Sequence, residues 1–246
     1  MTHFCGVSGR LAQPLRTVPG AKNSSKGIAM KIIHVSVGQP KEVEFEGKRA
    51  LTSIFKSPVE GKVAVRLQNI DGDRQSDLTV HGGRDKAIYV YSIDYYEAWA
   101  RELGVESLQI SQFGENLTVS GSRDSEVRIG SRFRLGDIEA TVTHPRLPCF
   151  KLGIRMNDKT FPKTFWDRGR LGFYLRVEKE GSLGQGDPIE LIEQPEHDIT
   201  IQKLFEIVKN GEPDDAVDAI DNLAHLDSGW MRRLRHIAKH ETRKEN

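Results

Sequence analysis

Between residues 30 and 195, apolar positions come in short alternating runs broken every few residues by Gly, Pro or Asp. Val63, Val65 and Leu67, for example, alternate with Lys62, Ala64 and Arg66, and a period of two marks a half-buried strand. This pattern predicts strands over 31–37, 61–67, 87–91, 116–119, 126–129, 132–135, 138–143, 173–178 and 189–192. Turn signals fall at Gly130-Ser131, Gly136-Asp137 and Gly184-Gln185-Gly186-Asp187. So many short strands separated by turns predict a closed or nearly closed antiparallel β-barrel. One helical period interrupts it over 94–103, with Tyr96, Trp99, Ala100 and Leu103 on one face, Asp94 as its cap with Glu97 in the reciprocal position, and Gly104 as its stop. From residue 196 the period becomes helical. Thr200 is placed to cap 201–209, Asn210-Gly211 breaks the run, Pro213 opens a second helix through 223, and Ser228 caps a third over 229–240.

The expected fold is therefore mainly β with α: a barrel over 30–195 and a small three-helix domain over 196–246. Residues 1–29 carry no hydrophobic period, four basic residues (Arg10, Arg16, Lys22, Lys26) and no acid. They are expected to form a disordered leader, either an upstream extension of the reading frame or a transit-like segment.

Composition narrows the function classes. In 246 residues, 36 Lys and Arg stand against 35 Asp and Glu, a formal charge of +1. That is no electrostatic footprint for coating nucleic acid. No apolar run approaches the roughly 18 residues of a membrane span, so a soluble chain is expected. Cys5 and Cys149 are the two cysteines, with no Cys-x-x-Cys; neither a disulfide framework nor a zinc knuckle follows, and a reducing, cytoplasmic setting is expected. The charge is unevenly spread. Residues 196–230 hold nine acids against two bases and 231–246 six bases against two acids, which predicts that the last helix lies electrostatically against the two before it.

The phosphate-loop, zinc-protease, nucleophile-elbow and dinucleotide signatures are all missing from the sequence. His236 and His240 have i, i+4 spacing but no third ligand, and read as surface residues. Three segments hold more chemistry. In Thr143-His144-Pro145-Arg146-Leu147-Pro148-Cys149-Phe150-Lys151, two prolines stiffen an extended chain and present Cys149 beside Arg146 and Lys151, which favour a thiolate; a buried cysteine acting as a small hydrophobe is the plainer alternative. Asp71 to Asp77, followed by His81-Gly82-Gly83-Arg84-Asp85-Lys86, reads equally as an anion-binding nest or as a polar hairpin. Phe113-Gly114-Glu115-Asn116-Leu117 is a turn entering a strand, with an amide that can both donate and accept.

Together these segments resemble the MOSC domain, named after the C-terminal part of molybdenum cofactor sulfurases. The resemblance rests on Gly72-Asp73 with Gln75 and Asp77, His81-Gly82-Gly83 with Asp85-Lys86-Ala87, Phe113 to Leu117, Pro145-Arg146-x-Pro148-Cys149 and Gly186-Asp187, in that order. With Lys56-Ser57-Pro58 near the start and the three-helix ending, the chain is more closely similar to the YiiM-like branch over about residues 30–241. His144 departs from the pattern, standing where Gln, Glu or a small polar residue is usual.

The resemblance implies a MOSC-type barrel and a molybdenum cofactor with one pterin dithiolene, its metal ligated by Cys149. It implies Lys56, Asp77, His81, Gly82, Gly83, Arg84, Asp85, Lys86, Asn116 and Arg146 as cofactor-binding residues, with Asp77 and Asp85 orienting the cations. It further implies reduction of N-hydroxylated compounds, such as 6-hydroxylaminopurine-like bases, hydroxylamines and amidoximes, by oxygen-atom transfer. His81 or His144 would shuttle protons. With no flavin, nicotinamide or iron–sulfur motif in the chain, a flavoprotein reductase is the expected electron donor, and a homodimer and partner docking by the helical domain are further expectations. The other class of reading is a non-redox carrier or binding module for sulfur, the cofactor or pyridoxal phosphate; the last needs a Schiff-base lysine, for which Lys56 and Lys86 are available.

Overall fold

The computed structural model describes residues 30–76 and 82–239. The expected leader, and Asp77, His81 and His240, lie outside the described residues.

Twelve strands and six helices form the described chain. The first five strands are β1 (Met30–Val37), β2 (Lys41–Phe45), β3 (Lys48–Thr52), β4 (Ser57–Val59) and β5 (Lys62–Val65). After a 3-10 turn at Arg84–Lys86 come β6 (Ile88–Ser92), α1 (Tyr96–Leu103), β7 (Leu117–Ser120), β8 (Arg132–Leu135) and β9 (Ile138–Pro145). Two short helices follow, α2 (Phe150–Met156) and α3 (Phe161–Arg168), then β10 (Phe173–Lys179), β11 (Gly181–Gly184) and β12 (Pro188–Glu193). The chain ends in α4 (Ile201–Asn210), α5 (Pro213–Asn222) and α6 (Ser228–Ala238).

Seven strands run around a barrel in the order β12-β8-β9-β10-β6-β7-β1, and β1 pairs back onto β12 to close it, with β4 appended beside β1. Closure removes the sheet edges, as the many short strands led us to expect. One pairing differs from the antiparallel expectation: β6 and β7 are parallel. The cause is α1, which lies between them as a crossover, the connection a parallel pair requires. All five residues of β6 are buried, since the barrel core covers one face and an aromatic cluster the other, where Tyr91 meets Phe113, Phe165 and the Trp99 indole N–H.

Local chemistry explains several departures from the sequence pattern. α1 is entered from a 3-10 turn over Ile93–Tyr95, and the cap is the Ser92 hydroxyl, which accepts from the Asp94 N–H; Asp94 is inside the turn. Gly104 does end the helix, in the left-handed region at φ 67°. The segment 126–129 is a turn rather than a strand. Its backbone is satisfied by the chain entering α4, through Ile129 N–H to Ile199 O and Ile201 N–H to Val127 O. The hairpin β2–β3 and helices α2 and α3 did not show in the periodicity.

Thr200 caps α4, accepting from Lys203 N–H at 3.0 Å, while α6 is capped by Asp227, which accepts from Gly229 N–H at 2.8 Å. The contact among these three helices is apolar: Leu204, Phe205, Ala216, Ala219, Trp230 and Leu234 are buried in the same cluster as the barrel core. Phe205 and Trp230 pack on Trp166 of α3, and the Trp230 indole donates to Pro145 O at the end of β9.

Candidate functional site

The cleft lies where β9 leaves the barrel. Pro145 closes the register with Phe173, and the next residue, Arg146, turns its side chain back into the barrel end. Its guanidinium donates to Phe113 O and stacks 4.7 Å over the Tyr89 ring. Burial works against that charge, but the surrounding phenols and thiol outweigh it and hold the Arg146 pKa above its ordinary value, so the buried cation is permanent.

Opposite it, Asp73 gathers three segments. Its Oδ1 accepts from Gly38 N–H at 2.8 Å and from the Lys56 ammonium, and its Oδ2 accepts from Asn116 Nδ2 at 2.9 Å. Gly38 is required here, because a Cβ would stand 3.0 Å from both Lys56 Cγ and Ser53 O. Burial pushes the Lys56 pKa down, opposed by Asp73. Asn116 uses both ends of its amide: Oδ1 accepts from Tyr89 N–H at 3.1 Å, and Nδ2 also donates to Ser36 O. It ties β1, β6 and Asp73 together.

Every residue of Phe113-Gly114-Glu115-Asn116 therefore has a task. Phe113 O holds Arg146, and Gly114 at φ +78° borders the cleft where a Cβ would stand 2.6 Å from Ile54 Cγ1. Glu115, fully buried, accepts from the Tyr96 and Thr118 hydroxyls and from Phe113 N–H.

The inner cleft is small, about 90 Å3, and Lys56, Lys86, Arg146 and Lys151 line it, with Asp73 as the single carboxylate among the described residues. Lys151 Nζ donates to Ser76 Oγ at 2.8 Å. Beyond it lies a wider chamber of about 550 Å3, walled by Gly82 to Lys86, His144 and Leu147 to Cys149 on the barrel side and by Asp227, Ser228, Gly229 and Arg232 on the helical side. Lys86, Cys149 and Tyr174 belong to both walls. Cys149 is a half-buried cysteine outside any disulfide, its backbone extended (φ −132°, ψ 173°) as the residue preceding α2.

Of the residues singled out in the sequence, Lys56, Lys86, Asn116, Arg146 and Cys149 converge on the inner cleft, and Gly82, Gly83, Arg84, Asp85 and His144 on the outer chamber. Asp77 and His81 lie outside the described residues. Asp85 orients Arg176, at 3.1 Å, rather than one of the cleft cations, because β10 runs beside its 3-10 turn. Arg84 is largely exposed and reaches Glu178 at 3.6 Å. His144 is 1% exposed, and burial pushes its pKa down to about 4, so at neutral pH its imidazole is an uncharged donor and acceptor. Sequence reasoning missed the roles of Asp73, Tyr174 and Asp227. Gly72-Asp73 was visible as a turn, but nothing local signals that Asp227 reaches across the chain to pair with Lys86 at 3.0 Å.

The MOSC domain family model matches residues 77–190. YflK of Bacillus subtilis is 37% identical over 171 residues, covering 70% of this chain and 77% of its own, and YiiM of Escherichia coli is 31% identical over 192 residues, covering 77% and 84%. The chain belongs to the MOSC domain family. The crystal structure of YiiM from Geobacillus stearothermophilus superposes with a TM-score of 0.70 at 28% identity, over 85% of this chain and 98% of that one, which places the fold in the YiiM-like branch. A protein of Gibberella moniliformis named a reductase is 31% identical over 193 residues, but this chain spans only 34% of its length. MOSC domains are associated with molybdenum cofactor binding in general.

The residues present suit such a group. A soft thiol stands where a narrow cation-lined cleft meets a wider chamber, and two buried groups, the Ser53 hydroxyl in the cleft and the His144 imidazole in the chamber, have no hydrogen-bond partner among the described residues.

Proposed function

We propose that this protein binds a molybdenum cofactor through Cys149 and reduces N-hydroxylated compounds, with hydroxylaminopurine-like bases, hydroxylamines and amidoximes as the substrate class and a flavoprotein reductase as electron donor. The observation that carries the reading is the position of Cys149 on the wall common to the two chambers, with a small cleft lined by four cations behind it and a wider chamber of mixed polar and charged lining in front. When bound, the cofactor would supply the two-electron, oxygen-accepting chemistry that converts N–OH to N–H, consuming two protons and releasing water.

The chain's own residues do the rest. Lys56, Lys86, Arg146 and Lys151 would hold the anionic part, with Asp73 fixing Lys56 and Asp227 fixing Lys86. Tyr89 and Phe113 fix Arg146. The helical stretch shields the outer chamber from one side. The fungal relative's name supports a redox role. The pyridoxal alternative finds no support in the lysines: Lys56 is buried in its pair with Asp73 and Lys86 is paired with Asp227, so both amines are engaged by carboxylates.

Cys149→Ala tests the reading. The variant should keep its thermal transition, because the thiol is only half buried and its removal takes away little apolar area. It should lose molybdenum, measured by mass spectrometry, and lose reduction of N-hydroxylated substrates with an artificial donor by at least about 100-fold. Full metal content and turnover in that variant would exclude Cys149 as the ligand.

A further inference from the structure

The outer chamber has an unspent polar group, and Arg84, Asp85, Lys86 and Asp227 around it are paired. Asp227 uses one oxygen on Gly229 N–H and the other on Lys86. Arg84 reaches out to Glu178. The His144 imidazole lines the chamber, is 1% exposed, and has neither ring nitrogen hydrogen-bonded among the described residues. The Tyr174 ring, 5.2 Å away and tilted by 37°, packs against it, and the β9–β10 register holds the two residues side by side. A buried polar group left without a partner is a deficit that a ligand repairs.

We infer that His144 is the specificity-determining residue of the outer chamber, reading a neutral ring nitrogen or ring N–H on the part of the substrate that does not react. An uncharged imidazole offers one donor and one acceptor, which suits an uncharged nitrogen heteroaromatic and gives nothing to a hydrocarbon ring. Cys149 and His144 line the same chamber, so one bound ring can turn its reacting group toward the thiol wall and meet the imidazole with another edge. The N-terminal turn of α6 closes the same wall through Asp227 and Arg232, so the helical stretch is part of the substrate chamber. The inference rests on the proposed reductase reading for the identity of the reacting group, but not for the polar contact itself.

Two readouts separate them. The first is equilibrium binding of adenine, a neutral heteroaromatic without an N–OH group, followed by calorimetry on wild type, His144→Leu and His144→Gln. The second is the ratio of kcat/KM for an N-hydroxylated aminopurine to that for benzamidoxime, whose phenyl ring offers no hydrogen-bonding atom. His144→Leu should weaken adenine binding about 10–100-fold and lower the substrate ratio by a similar factor, at unchanged molybdenum content, and His144→Gln should restore most of both. Equal adenine binding by wild type and His144→Leu, parallel loss on both substrates, loss of molybdenum, or no adenine binding by wild type would each overturn the inference. Adenine binding that depends on His144 in a protein with no N–OH reduction would uphold it and remove the reductase reading instead.

Discussion

Asp73 accepts hydrogen bonds from a glycine N–H, a lysine ammonium and an asparagine amide that come from three separate stretches of chain, and it is 5% exposed. Asp73→Ala would strand the Lys56 ammonium in a site whose burial already disfavours its charge. Losing one partner of a buried pair costs about 3–5 kcal/mol, whereas replacing both by apolar groups costs much less. Asp73→Ala should therefore destabilise the protein by that amount in urea unfolding, and adding Lys56→Met should recover part of the loss; two costs that simply add would show that the pair is not coupled. The contrast with Asn116, Arg146 and Cys149 shows what a sequence makes legible at this scale. Those three stand in short motifs whose residue types are unusual for their places, an amide entering a strand, a cation between two prolines and a thiol directly after the second. Asp73 sits in an ordinary Gly-Asp turn, and its task exists only once β1, the β3–β4 connection and β7 are brought together.

At the level of elements, the strands whose apolar residues alternate were readable, and so were helices whose caps and stops are local, such as α4 with Thr200 and Gly211. Helices α2 and α3 were not. They are short, the prolines before α2 signal extension, and the useful clues were Phe161 and Phe165 one turn apart with Asn157 and Gly169 in left-handed stops. The parallel β6–β7 pair was likewise hidden, since period alone carries no strand direction. A loop between β7 and β8 is pinned by Asp124, whose carboxylate accepts from Leu171 and Gly172 N–H at 3.0 Å each, where the chain enters β10. Burial raises its pKa from 3.8 to about 6 against those hydrogen bonds. The folded chain thus keeps a proton that the unfolded chain releases, so this group's stabilisation is complete below about pH 4 and is lost as pH rises through about 6. The loss amounts to roughly 2–3 kcal/mol. Asp124→Asn keeps an acceptor oxygen and does not titrate. The change in its unfolding free energy between pH 4 and pH 7 should differ from that of wild type by about this amount; identical pH profiles would show that Asp124 is not held protonated.

For the whole molecule, the change in periodicity at residue 196 reads as a boundary between two units, yet the buried apolar residues on its two sides form one cluster. Ile199, Ile201, Leu204, Phe205, Trp230 and Leu234 are all at most 5% exposed, and their neighbours include Trp166 of α3 and the carbonyl of Pro145. The charge asymmetry along 196–246 was visible in the sequence, but the contacts that seat these helices are apolar and could be assigned only after their faces were placed against α3 and β9. This packing also reaches the site, because Trp230 holds the strand end from which Arg146 and Cys149 depart and Asp227 holds Lys86. A chain ending at residue 195 would expose the barrel side of that contact. Each large apolar side chain returned to water costs about 1.5–3 kcal/mol. Five or six of them match the whole stability of a typical domain, about 5–15 kcal/mol. The truncated chain should lose its cooperative thermal transition and bind a hydrophobic dye, while the single variant Trp230→Phe, which keeps one aromatic ring in place of the indole and loses the hydrogen bond to Pro145, should cost about 1–2 kcal/mol and remain cooperative. A truncated chain that melts cooperatively within a few degrees of the full protein would show instead that the barrel is complete by itself and that the helices only rest on it.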